Sequence, residues 1–222
     1  MTGIAVVIPV RSFEGGKSRL ARLLSPEARS TLIANMLERV LTAVRESGVA
    51  AHTLVVSPDP AVRSFAQRID RHVTAIAQPA DAEGLNVAAS LGKQTAIEQG
   101  CSRLLILFGD LPLLRPEDLT EFVTQSADLV VGTDWTGTGS NGLLMNLEHP
   151  AARVFSFAYG IESCHRHLAE AERLHMSGST VKIDGIAYDL DTEDDFAAMR
   201  AGDREIPEWL RPLPIQQQEI DA

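Results

Sequence analysis

Residues 4–20 read Ile4-Ala-Val-Val-Ile-Pro-Val10, followed by Arg11-Ser-Phe-Glu-Gly-Gly-Lys-Ser-Arg-Leu20. The first half is a short apolar run of the kind that forms a strand covered on both faces, as in a parallel sheet. The second half places a glycine-backed cationic loop at that strand's carboxyl end. Gly15 and Gly16 permit close approach of backbone N–H groups to an anion, and Lys17 and Arg19 bring positive charge to the same place. The spacing is neither G-x-x-x-x-G-K-[ST] nor G-x-G-x-x-G, so neither standard nucleotide fingerprint applies. On these residues alone, a phosphate cradle and a solvated basic loop are equally good readings.

Beyond this strand the pattern alternates. Ser25-Pro26 reads as an N-cap with proline at the first helical position; Leu32, Met36, Val40 and Val44 recur every fourth residue behind it, and Gly48 ends the helix. Residues 53–56 form the next strand, and Ser57-Pro-Asp-Pro60 opens a helix carrying Val62, Phe65, Ala66 and Ile69. A third strand follows at 73–77, and Gly84-Leu-Asn86 opens a helix running to Gly100. Residues 103–108 are apolar enough for a central parallel strand. This regularity implies an α/β doubly wound sheet, with ligands beyond the carboxyl ends of the strands near a switch in strand order.

The later part is less regular. A short helix is expected around residues 119–123, strands at 128–131 and 141–146, and a helix over 162–174. Residues 180–183 and 186–189 read as a hairpin or edge strands, and Thr192 caps a helix through Phe196 and Met199. One domain spans residues 1–205. The tail, 206–222, contains Pro207, Pro212, Pro214 and three glutamines; it reads as an extended or disordered extension on which Trp209 and Leu210 are able to dock.

The 222 residues are 45% hydrophobic and 23% charged, enough for a substantial core. A formal charge of −10 argues against nucleic acid as the main partner while leaving room for a local cationic pocket. No basic leader precedes the first strand and no apolar run reaches the roughly 18 residues of a membrane span, so the expectation is a soluble, cytoplasmic protein. Cys101 and Cys164 are the only cysteines and lie outside any C-x-x-C, which fits reduced thiols. The histidines lack metal-ligand spacing.

Phe108-Gly-Asp-Leu-Pro112 sets a carboxylate immediately after the most apolar strand. Asp110 there is able to bind Mg²⁺ through oxygen, or to cap the following turn. Asp189-Leu-Asp191-Thr-Glu-Asp-Asp195 is a second acidic cluster; Asp189 and Asp191 alternate onto one strand face, while Asp191 or Thr192 also reads as an ordinary N-cap. Gly137-Thr-Gly-Ser-Asn141 offers backbone amides and hydroxyls to an anion or forms a flexible turn. Ser163, after Tyr159-Gly160, reads as an N-cap or as a phosphate ligand at a helix N-terminus.

In order, Ile8-Pro-Val-Arg11, Gly16-Lys-Ser-Arg-Leu20, Gly84-Leu-Asn86, Gly109-Asp-Leu-Pro112, Gly137-Thr-Gly-Ser-Asn141, Tyr159-Gly160 with Ser163 and His167, and Asp189-Leu-Asp-Thr192 resemble the 2-phospho-L-lactate guanylyltransferase family. The resemblance covers residues 4 to 200. It implies a Rossmann-like nucleotidyltransferase core of the nucleotide-diphospho-sugar transferase type with a mostly parallel central sheet. It also implies GMP transfer from GTP to a small phosphorylated carboxylic acid (2-phospho-L-lactate, phosphoenolpyruvate or 3-phosphoglycerate), with pyrophosphate released, in biosynthesis of the deazaflavin coenzyme F-420.

For the site, the resemblance implies that Arg11, Lys17, Arg19 and Asn86 bind the nucleotide, with Lys17 and Asp110 catalytic. Asp110, Asp189 and Asp191 hold Mg²⁺, and Ser140, Gly160 and Ser163 grip the acid. The family commonly has glycine where Glu162 stands and often threonine where Ser140 stands; these departures bear on which acid is used. Two rivals remain: a related transferase with a molybdopterin or sugar-phosphate acceptor, and a non-catalytic nucleotide-binding protein of the same fold.

Overall fold

The computed structural model describes residues 3–79, 81–82, 84–201 and 206–210. Among the described residues one seven-stranded sheet forms. Inside it lies β1 (Ile4–Pro9), flanked on one side by β2 (Ala50–Ser57) and then β3 (Thr74–Ala77). On the other side lie β4 (Arg103–Leu107), β6 (Ser140–Asn146), β5 (Leu129–Thr133) and β7 (Gly178–Val181), in the order β3-β2-β1-β4-β6-β5-β7. Only β6 runs against its neighbours. The reason is length: residues 134–139 alone join β5 to β6, too few for a parallel crossover, so the pair closes as a hairpin.

Period-2 alternation divides the core between the two faces. Val6 and Ile8 of β1 and Leu105 and Leu107 of β4 point to one side. They meet α1 (Pro26–Ser47), α2 (Pro60–Ile69) and α4 (Pro116–Phe122). Ala5, Val7, Leu104 and Ile106 point to the other, against α3 (Leu85–Glu98) and α5 (Ser163–Arg173). Leu104, Leu105, Ile106 and Leu107 are all fully buried, each contributing roughly 1.5–3 kcal/mol, so the end of β4 is a rigid platform. The helix ends follow local chemistry. Ser25 caps α1 by accepting from Ala28 N, and α1 stops at Gly48 in a left-handed conformation.

Of residues 180–183 and 186–189, expected as a hairpin or edge strands, 180–181 lie in an edge strand and no hairpin forms. β7 instead joins β5 in parallel, and residues 184–187 form one helical turn, α6 (Asp184–Ala187). Ile183, Ile186 and Ala187 are buried and spaced three and four apart, a helical period rather than a strand period. Ile186 packs over Gly132 and Gly142, which leave room for it between β5 and β6. Asp189 and Asp191 therefore sit on a loop and do not share a strand face, correcting that expectation.

A third cluster closes the end near the glycine loop. Leu20, Leu24, Met36, Leu113, Leu190 and Leu210 meet there, with Met199 of α7 (Glu193–Ala201). Residues 208–210 form a 3-10 turn with Leu210 fully buried, so this part of the tail is docked; residues 211–222 lie outside the described residues. Among the described residues no helix is long and apolar enough to cross a membrane. Cys101 and Cys164 are free thiols, both pushed up by burial.

Candidate active site

The chain runs β1 to β2 to β3 in one direction along the sheet, then returns to place β4 on the other side of β1. That reversal opens a crevice at the carboxyl ends of β1 and β4. The loop leaving β1 is shaped from outside. Asp59, the N-cap of α2, accepts from Ala61 N with one carboxylate oxygen (2.8 Å); with the other it accepts from Ser12 Oγ (2.7 Å) and Phe13 N (3.4 Å). Gly15 then takes a φ of 70° that side chains resist. Lys17 follows with a φ of 52°, a left-handed conformation costing a non-glycine residue about 1–2 kcal/mol.

The strained turn sends the Lys17 side chain inward, where only 7% of it is exposed. Its ammonium donates to Asp110 Oδ2, just past β4, and to Asp191 Oδ1 ahead of α7. Burial pulls the ammonium toward neutrality, but the two carboxylates outweigh burial and hold its pKa above the ordinary lysine value. Asp110 is thus an ion-pair partner over the sheet edge.

Asp189 completes the acidic group. Asn141 Nδ2 donates to its Oδ1 (3.0 Å) and also faces the carbonyls of Ile186 (3.0 Å) and Ala187 (3.3 Å). Burial, then the nearby charges of Asp110 and Asp191, push Asp189 up to about 7 against the pull of Asn141 and Lys17. Asp191 is fixed by its neighbours: Asp195 Oδ2 accepts from Asp191 N (3.0 Å) and Thr192 N (2.7 Å), while Thr192 Oγ1 accepts from Asp195 N (3.1 Å). Thr192 therefore caps α7 as expected, in a reciprocal capping box. Among the described residues no three or more His, Cys, Asp or Glu side chains are arranged as a ready-made metal cluster.

The remaining candidates lie around the start of α5. Ser163 is its first residue rather than its cap; Glu162 holds the cap position with a φ of 56° and no side-chain capping bond. Gly160, with a φ of 122°, makes the preceding turn and its carbonyl accepts from Ser163 N (3.1 Å). Ser140 is buried. His167 Nε2 accepts from Ala158 N (3.0 Å), which puts the ring proton on Nδ1, 3.0 Å from Ser140 Oγ. Ser140 accepts that proton and keeps its own O–H to donate. Burial pushes His167 down to about 4, so the ring is neutral near pH 7. Asn86 is exposed at the start of α3, and its Oδ1 accepts from Tyr159 N (2.7 Å).

Three cavities line the crevice. One of about 500 Å³ is bounded by Pro9, Val10, Arg11, Gln78, Gly84 and Leu85. One of about 790 Å³ is bounded by Arg11, Gly15, Gly16, Lys17, Asp59 and Asp191. One of about 310 Å³ is shared by Lys17, Leu85, Phe108, Asp110 and Asp191. Arg11 borders all three; Arg19 and Asn86 border none of them. The structure thus brings together Lys17, Asp110, Asp191 and Arg11, with Asp189 beside them, and groups Ser140, Gly160 and Ser163 separately. Sequence reading missed Asp59 and Asn141, which anchor the two loops. Asp59 before Pro60 was readable as a cap, whereas nothing marked Asn141 as the holder of Asp189.

The family described as guanylyl transferase CofC like matches residues 4–219. The chain belongs to that family. A phosphoenolpyruvate guanylyltransferase of Rubrobacter xylanophilus is 37% identical over 201 residues, spanning 89% of this chain and 94% of its own. A 3-phospho-D-glycerate guanylyltransferase of Phenylobacterium zucineum is 30% identical, spanning 88% and 89%. Among solved structures, a Desulfovibrio desulfuricans protein placed with the nucleotide-diphospho-sugar transferases superposes with a TM-score of 0.72 at 15% identity, covering 90% of this chain and 87% of its own. That likeness shows the Rossmann-like nucleotidyltransferase fold.

Proposed function

We propose that this guanylyltransferase joins GMP from GTP to the phosphate of a small carboxylic acid, using Mg²⁺ and releasing pyrophosphate, in the biosynthesis of the deazaflavin coenzyme F-420. The observation that carries the reading is the meeting of Lys17, Asp110 and Asp191 at the switch in strand order. The acid's phosphate oxygen attacks the α-phosphorus of GTP, the bond from that phosphorus to the bridging oxygen breaks, and its electron pair leaves with pyrophosphate. The attacking oxygen is anionic at neutral pH, so no general base is needed and catalysis reduces to alignment and charge neutralisation. His167 fits that account: neutral and already accepting a backbone N–H, it orients Ser140 rather than carrying protons.

In this reading the triphosphate lies along Gly15 and Gly16 with Arg11 and Lys17 as its near cations, and Arg19 meets its outer oxygens. The guanine takes the apolar cavity beside Gln78 and Leu85, with Asn86 at its rim. Asp110, Asp189 and Asp191 offer only oxygen donors, the set that suits Mg²⁺. Mg²⁺, when bound, supplies neutralisation of charge on the triphosphate oxygens. Lys17 is then free to turn from the carboxylates to the phosphates. Ser140, Gly160 and Ser163 hold the acid at the N-terminus of α5, where the helix dipole favours an anion. A cytoplasmic location belongs to the same proposal.

Phosphoenolpyruvate is the first acceptor to try, as in the Rubrobacter relative. One observation favours 3-phosphoglycerate: Glu162 is exposed at the cap of α5 and offers a carboxylate to a hydroxyl that phosphoenolpyruvate lacks. The test is pyrophosphate release with Mg²⁺, each of four nucleoside triphosphates, and a panel of 2-phospho-L-lactate, phosphoenolpyruvate and 3-phosphoglycerate, with a sugar phosphate as control acceptor. Release with GTP and one of these acids supports the reading. Silence with every pair overturns it, and release with CTP and a sugar phosphate favours the rival transferase.

A further inference from the structure

We propose that Lys93 is a positioning residue for the acid-binding arm, residues 150–160, holding it from beneath so that Gly160 and the start of α5 are placed to receive the phosphorylated acid. The inference rests on the acid site described above. Lys93 lies on the apolar face of α3, between the fully buried Ala89 and Ala96, and is itself only 6% exposed. Leaving an ammonium there without partners would cost several kcal/mol. Its Nζ instead donates to three carbonyls of the arm: Ala152 (3.0 Å), Arg153 (3.2 Å) and Phe155 (2.7 Å). It also stands 5.7 Å from the centre of the Phe157 ring. Among the described residues it forms no ion pair.

These carbonyls belong to the end of the 3-10 turn Pro150–Val154 and the residue after it, where helical turns run short of internal donors; Ala152 also accepts from Phe155 N (3.4 Å). One cation gathers all three and thereby fixes the arm's path. The same helix grips the arm again two turns earlier, where Asn86 accepts from Tyr159 N next to Gly160. Leu85, beside Asn86, walls the nucleotide cavity, so one rigid helix sets both the nucleotide wall and the arm. Two more fastenings come from α5: Glu170 accepts from Ser156 N (3.1 Å) at the surface, and the buried His167 accepts from Ala158 N (3.0 Å). Lys93 is the buried fastening of the arm's first half, residues 152–155.

The experiment compares wild type, Lys93→Met and Lys93→Gln by initial-rate kinetics and by amide hydrogen exchange on the ligand-free proteins. In Lys93→Met the KM for the acid is expected to rise about tenfold or more, with the KM for GTP within about twofold. Exchange is expected to quicken across residues 152–160 while β1 and β4 stay protected. Lys93→Gln, which keeps a donor, is expected to recover part of both. Equal rises in both KM values, neither rising, or exchange quickening evenly through the chain overturns the proposal. Should Lys93→Met fail to fold, the same measurements on Lys93→Gln decide it: an acid KM and arm exchange both at wild-type values overturn it. Absence of turnover by wild type with every acid removes the functional reading, and unchanged arm exchange in the variants then overturns the positioning role separately.

Discussion

Lys17 joins a left-handed backbone, a nearly buried ammonium and two carboxylates from distant parts of the chain. Asp110→Asn keeps the shape of its partner and removes the charge. It is expected to lower kcat by about 10²–10³-fold, measured as pyrophosphate release, with the melting temperature changed by only a few degrees. Turnover near wild type would place the metal and the electrostatic work elsewhere. His167 governs stability. Its ring is held neutral with a pKa of about 4, against an ordinary value near 6.5, so below pH 6.5 the unfolded chain takes up a proton that the folded chain refuses. Stability is therefore full above pH 6.5 and lost as the pH falls toward 4, by about 2 kcal/mol between pH 7 and pH 5. Urea unfolding at the two pH values checks this, and His167→Gln is expected to flatten the difference. Lys17, Asp110 and Asp191 were readable because a charge directly after an apolar strand, or ahead of a helix, has few structural uses. Lys93 was not, since a single polar residue within a helical stripe gives no sign of what lies opposite it; His167 entered only through the family resemblance, with no role attached.

Among the elements, α7 links packing to the site most directly. Its capping box holds the backbone N–H groups of Asp191 and Thr192, and the Trp135 indole donates to the other Asp195 oxygen (3.3 Å). Asp195→Ala is expected to cost about 1 kcal/mol in chemical denaturation, the usual worth of a cap, and to lower kcat by loosening Asp191. Lost stability with unchanged kcat would show that Asp191 needs no such support. The helices and strands up to β4 were readable because caps and periodicity agree: Ser25 before Pro26, the fourfold stripe of α1 and the unbroken apolar run of β4 each point one way. After β5 that agreement lapses. α6 looked like a strand because Ile186 and Ala187 are apolar neighbours, and only the glycines of β5 and β6 reveal that a helical turn must fill the space above them.

The sheet as a unit explains why the site is where it is. Alternation of strands and helices foretold a switch in strand order, and the first strand proved to be its axis, with the glycine loop and Asp110 on either side. What the sequence pattern could not supply was the reversed β6, which follows from the shortness of one connection; docking at Trp209 and Leu210 was readable as an option and is realised in residues 208–210. Leu210 closes the cluster that supports Leu20 below Lys17 and Leu190 between the acidic residues. Leu210→Ala is expected to destabilise by about 2–4 kcal/mol in urea or guanidinium; no change would mean that the contact contributes nothing to the fold. The most direct test of GMP transfer to an acid's phosphate uses phosphoenolpyruvate or 3-phosphoglycerate labelled with ¹⁸O in the phosphate group, together with unlabelled GTP and Mg²⁺, and follows the label by mass spectrometry. The label is expected wholly in a guanylylated acid, with the released pyrophosphate unlabelled; labelled pyrophosphate, or labelled inorganic phosphate with no guanylylated product, would contradict the mechanism.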